Sequence, residues 1–293
     1  MRRSWLAWAT SIVAFFLTAV LAITLGSAKA PNVERVSQLS GTRLSDTRLS
    51  DTQLSTIPSS PNFSATKTSA YPPSNFYPAN SPATIPGTSV SAASKAAPSY
   101  QPAEVVYLAD PSNYGQRFTV DASGNPVTND YLVVLHETVG SASSAINLFQ
   151  THHPRDEDQV SYHTLITLDG TVVYVVPPEQ RAFGAGNSSF PTSAGEESVF
   201  TNPDFPSSVN NFAYHISLET PGDGQNNNAR NHSGYTAKQY QSLAWLLSRT
   251  TVPEERITTH KHVDRSGTRT DPRSFDPEYL FSLLRQYPSR AGL

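Results

Sequence analysis

The chain has 293 residues, of which 37% are apolar and 15% charged, with 24 acidic and 21 basic side chains giving a net charge of −3. Both fractions fall below the usual globular values of about 45–50% and about 25%, so a large polar, uncharged segment must accompany any folded domain. The slightly acidic balance excludes a nucleic-acid binder that works through a basic face. The absence of cysteine excludes disulfides, thiolate metal sites and cysteine nucleophiles, so a metal must be held by His, Asp or Glu.

The chain begins with an export signal. Arg2 and Arg3 precede an uncharged, mostly apolar run from Ser4 to Ser27, followed by Ala28-Lys29-Ala30. A positive start, an apolar stretch and an A-x-A site make a secretory signal, although the run is long enough to serve as an uncleaved anchor. In either case the remainder is carried across the membrane, so the expected location is the periplasm or cell wall, with residues 4–27 as a possible tether. Residues 31–103 hold ten of the 23 prolines and long Ser/Thr/Ala stretches, the composition of a disordered linker. Arg43 to Thr47 and Arg48 to Thr52 form a brief five-residue repeat within it, read as slippage in a tether.

From 104 to 288 the pattern becomes that of a single α/β domain, a central mixed sheet flanked by helices. Tyr131 to Leu135 is a continuous apolar run that suits a strand buried on both faces. Ser143 to Gln150 has helical spacing. Ser161 to Leu168 and Thr171 to Val176 flank Asp169-Gly170, a hairpin signal. Ala213 to Glu219 reads as another strand. Thr236 to Arg249 reads as a helix in which Thr236 and Gln239 form a capping box. Ile257 to Thr259 is a short strand leading into His260.

All eight histidines fall in this domain. His136 and His260 each follow an apolar strand, and Asp271-Pro272 comes eleven residues after His260. Two imidazoles and one carboxylate give zinc three ligands and leave a fourth position for water, whose pKa would fall to about 7. His262 stays open as an alternative to His260. His215 shares a strand face with Glu219 and reads as structural or as a neighbour of the ligands. Glu137 is expected on the face opposite His136.

The segments LHET at 135–138, SYHTLITLDGTVVYVVPPEQRAFGAGNS at 161–188, HISLE at 215–219 and THKHVDRSGTRTDPRSF at 259–275 occur together and in order. Together they resemble the zinc-dependent N-acetylmuramoyl-L-alanine amidases, the family that includes phage lysozyme-type amidases and peptidoglycan recognition proteins. The resemblance implies one Zn2+ held by His136, His260 and Asp271, with Glu219 as general base and Arg269 as stabiliser of the oxyanion. Substrate contacts are expected from His163, Gly184 and Asn187. Two departures stand out: Arg269 replaces the usual Lys, and Gly184-Ala185-Gly186 replaces the frequent His-Ala-Gly. The implied partner is peptidoglycan or muropeptide, acted on by a monomer, with no nucleic acid and no membrane contact beyond the N-terminal segment. Two other readings remain: a non-catalytic wall-binding module, or a zinc peptidase acting on the stem peptide.

Overall fold

The computed structural model describes residues 98–293, so the expected signal or anchor and all but the last few residues of the expected linker lie outside the described part. Ten strands occur in chain order: β1 (Glu104–Val106), β2 (Tyr114–Gln116), β3 (Leu132–Glu137), β4 (Thr164–Ile166), β5 (Val172–Tyr174), β6 (Gln180–Ala182), β7 (Phe190–Thr192), β8 (Gly195–Glu197), β9 (Ala213–Leu218) and β10 (Ile257–Thr259). The helices are α1 (Ala142–Gln150), α2 (Ala237–Leu247), the single turn α3 (His260–Val263) and α4 (Pro277–Leu284). Among the described residues, no helix is long and apolar enough to cross a membrane.

Six strands form one mixed sheet in the order β1-β5-β4-β9-β3-β10. Only the β4–β5 pair is antiparallel, joined by the turn at Asp169-Gly170 with Gly170 at φ +87°. The four strands β4, β9, β3 and β10 run parallel, and their carboxyl ends therefore share one edge. In open α/β sheets that edge is where sites form.

The sheet is covered on both faces, which explains why β3 and β9 are buried at every position. On one face Val133, Leu135, Tyr214, Ile216 and Leu218 pack against Leu243, Leu246 and Leu247 of α2 and Leu280 and Leu284 of α4. On the other, Leu165 and Val173 meet Ala145, Ile146 and Phe149 of α1. Beside them Leu132 and Val134 pack with Phe190, Val199, Phe212 and Val263. Each fully buried aliphatic side chain contributes about 1.5–3 kcal/mol.

The mixed α/β class and central sheet are as expected from sequence, and α2 begins with the predicted box: Thr236 accepts from the Gln239 amide while the Gln239 side chain accepts from the Thr236 amide. The strands around Asp169-Gly170 are shorter than their apolar runs. Helix α4 was not anticipated, although Asp276 caps it and Pro277 opens it.

Candidate metal centre and its cavity

Alternation along β3 sends Leu132, Val134 and His136 to the α1 face, and Val133, Leu135 and Glu137 to the α2 face. His136, at the carboxyl end, is fully buried. The parallel register pairs Thr259 with Leu135, so the next residue of each strand, His260 and His136, come side by side with ring centroids 4.7 Å apart. Asp271 arrives from the following loop, which is tied down by the Lys261 amide donating to the Asp271 carbonyl at 3.0 Å.

One potential ligand atom from each of His136, His260 and Asp271 lies within 4.8 Å of the others. His260 Nδ1 is 3.1 Å from both Asp271 oxygens, and His136 Nδ1 is 3.4 Å from Asp271 Oδ2. Yet His136 Nδ1 is buried and makes no hydrogen bond. A buried polar nitrogen ordinarily has a partner. One left bare beside a carboxylate and a second imidazole is what a shared cation would require, and the donor set suits zinc. The three residues fit the ion the family resemblance implies.

Electrostatics favour the ligating protonation states. Burial pushes the His136 imidazolium down to about 4, leaving a neutral ring. Burial also acts to raise Asp271, but the close approach and charge of His136 and His260 outweigh it and hold the carboxyl well below its usual range. His262 lies outside this cluster: it is exposed, its Nδ1 paired with the Thr259 hydroxyl at 2.9 Å.

Above the cluster opens a cavity of about 500 Å³, whose walls include Tyr162, Gly184, Asn187, His260, Arg269 and Asp271. Tyr162 stacks on His136 at 4.4 Å, and burial raises its phenol pKa. Arg269 is an exposed cation at the rim, on a loop closed by Asp264, which accepts from the Ser266, Thr268 and Arg269 amides. Those bonds outweigh the opposing effect of burial and hold the Asp264 carboxyl down to about 2.

Two expected site residues are placed differently. His163 is fully buried and does not line the cavity; its neighbour Tyr162 does. The His163 ring is spent on internal partners, Nδ1 accepting from the His215 amide at 2.9 Å and Nε2 lying 3.1 Å from Arg117 Nη2 and 3.2 Å from the Gln180 carbonyl. Glu219 directly follows β9 and, like His136 itself, is not among the residues that wall the cavity. Its oxygens accept from the Ala142 amide, at the start of α1, and from the Leu168 amide, both at 2.8 Å. A carboxylate at a helix N-terminus is stabilised there by the helix dipole.

Glu137 lies on the opposite face from His136, as expected, and is 2% exposed. Arg273 donates to it through Nε at 2.5 Å, while His232 Nε2 and the Tyr235 hydroxyl lie 3.2 Å from its other oxygen. Arg273 also donates to the carbonyls of Gly224 and Ala229. Arg273 went unrecognised in the sequence; its signal was a cation two residues after the candidate ligand Asp271.

The class that these features define is a hydrolase with a candidate metal centre at the carboxyl ends of parallel strands. The sequence profile described as N-acetylmuramoyl-L-alanine amidase matches residues 124–274, and the chain belongs to that family. Its enzyme class is accordingly that of a peptidoglycan amidase. Similar solved structures include a selenomethionine derivative of AmpD, at 25% identity and TM-score 0.42, covering 62% of this chain and 94% of that one. The Escherichia coli amidase AmiD, in complex with anhydro-N-acetylmuramic acid-L-Ala-D-γ-Glu-L-Lys, is 16% identical with TM-score 0.41, covering 58% of this chain and 65% of that one. AmpDH3 from Pseudomonas aeruginosa, in complex with an anhydromuramic pentapeptide, is 19% identical with TM-score 0.38, covering 57% of this chain and 66% of that one. No curated protein matches the chain.

Proposed function

We propose that the chain is an exported, zinc-dependent hydrolase of the amide bond joining the lactyl group of N-acetylmuramic acid to L-alanine. The observation that carries the metal dependence is the buried cluster of His136, His260 and Asp271, with His136 Nδ1 bare and facing the other two. These three residues would hold the ion. When bound, zinc supplies Lewis acidity, polarising the scissile carbonyl and acidifying water.

The chain's own residues would supply the rest. The cavity has room for the lactyl-alanine linkage, with Gly184 and Asn187 on its wall as substrate contacts. Hydrolysis adds the water oxygen to the carbonyl carbon, breaks the C–N bond and moves a proton to the alanine nitrogen. Arg269, an exposed guanidinium at the rim, would donate to the oxygen that gains charge as the carbon becomes tetrahedral. Glu219, carried over from the family resemblance, would take the proton from water and hand it to the departing amine. Each Glu219 oxygen accepts one amide in this structure, and a carboxylate offers about four acceptor sites, so lone pairs remain. Those same amides favour a second role for Glu219, clamping the start of α1 to the β4–β5 turn.

Residues 1–30 would act as signal or anchor and residues 31–103 as a tether, giving the domain from 104 to 288 access to the wall. The full chain incubated with peptidoglycan, with and without a chelator, provides the test by mass spectrometry of the products. Intact stem peptides with a free N-terminal alanine, lost on chelation, are expected. Cleavage within the peptide would instead identify a peptidase, and wall binding without cleavage a binding module.

A further inference from the structure

A ligating histidine has two jobs for its two nitrogens. One must be bare toward the metal, and the other carries the proton and donates it to a fixed acceptor, which sets the tautomer and the ring orientation. For His136 the atom facing His260 and Asp271 is Nδ1. Its Nε2 lies 2.9 Å from Nδ1 of His215, and both rings are fully buried.

His215 is itself rigidly held. It sits within β9, its amide donates to His163 Nδ1, and its ring lies nearly parallel to that of His163, 9° apart in plane. Its Nε2 has no partner among the described residues. Either tautomer of His215 therefore leaves that atom unpaired, and hydrogen-bond counting alone does not choose between them. The requirement for a bare His136 Nδ1 does: Nε2–H of His136 must donate, and His215 Nδ1 must accept.

Room for this acceptor comes from Gly184. A Cβ built there would stand 2.6 Å from His215 Nδ1 and 2.7 Å from its Cγ, closer than real Cβ contacts allow. The His215 ring fills the volume that a side chain at 184 would take. Glycine at 184 thus leaves the space that an imidazole enters from β9.

We propose that His215 is the positioning residue of the metal centre, accepting from His136 Nε2–H so that His136 Nδ1 is presented bare, and that Gly184 is small to admit it. This inference rests on the zinc reading above. The test is zinc affinity of the full chain, measured by competition with a chromogenic chelator, alongside thermal unfolding of the zinc-free chain. His215→Leu removes the acceptor and is expected to weaken zinc binding by about 10–100-fold. His215→Asn, which returns an acceptor near the Nδ1 position, is expected to recover most of that loss. Gly184→Ala is expected to weaken zinc binding as well, because its methyl group displaces the ring. A purely structural role would lower zinc-free stability without this split between Leu and Asn. If His215→Leu does not fold, His215→Asn and Gly184→Ala carry the comparison, and full wild-type affinity in Gly184→Ala overturns the proposal. Unchanged affinity in a folded His215→Leu overturns it alone; a wild-type chain that takes up no zinc overturns the metal reading and this proposal with it.

Discussion

His136 and Glu137 are neighbours on β3, yet they point into opposite environments. On the His136 side a buried nitrogen has no hydrogen bond and a carboxylate stands 3.4 Å away, beside a cavity whose wall takes in His260, Asp271 and also Glu137. On the Glu137 side the polar groups are paired: Arg273, His232 and Tyr235 close around one carboxylate. The contrast separates chemistry from architecture. A fully satisfied polar network fixes the position of the segment carrying Asp271, whereas the incompletely satisfied one is where a ligand can enter.

The satisfied side is the costlier one to disturb. Arg273→Ala leaves Glu137 as a buried charge without its cation, at an expected cost of about 3–5 kcal/mol measured by urea unfolding of the zinc-free chain. A loss under 1 kcal/mol would show that the network is dispensable. From the other side, zinc at a hundredfold excess over its Kd should stabilise the wild type by about 2.7 kcal/mol. His136→Asn should abolish that gain; a variant still stabilised by zinc would place the ion elsewhere.

Glu219→Ala sharpens the contrast at a residue with claims to both roles. Removing both amide acceptors should cost about 1–2 kcal/mol of stability. If Glu219 is also the base, product formation should fall far beyond the unfolded fraction, and activity tracking stability alone would leave only the clamp.

A smaller effect belongs to the loop bearing Arg269. The Asp264 carboxyl is depressed in the folded chain, so its stabilisation is complete above its unfolded value near 3.8 and is lost as pH falls through about 2. The stability difference between wild type and Asp264→Asn should therefore be constant at neutral pH and shrink between about pH 4 and pH 2. A gap that persists at pH 2 would assign the effect to something other than ionisation. His262→Ala should be the mildest change, within about 0.5 kcal/mol and without effect on zinc affinity, because its ring is exposed and contacts Thr259.

Local signals were legible where one segment decides its own structure. The capping box of α2, the Asp169-Gly170 turn and the apolar runs of β3 and β9 depend on neighbours in sequence. Three-residue strands such as β2, β6, β7 and β8 owe their existence to partners and carry too few residues for a periodic signal. At the site, alternation put Glu219 on the strand face of His215, but its carboxylate is claimed by amides delivered by α1 and the hairpin. The choice of His260 over His262 was open in the sequence because it turns on the parallel register of β10 with β3. His215 was legible only as a neighbour; its contact with His136 needs the β3–β9 pairing, and the meaning of Gly184 needs both.

The central claim is that three particular atoms hold the metal. Anomalous diffraction at the zinc edge from crystals of the zinc-loaded chain tests it most directly. A single strong peak is expected about 2.0–2.2 Å from His136 Nδ1, His260 Nδ1 and an Asp271 oxygen. A peak at His262, or none at the cluster, would contradict it.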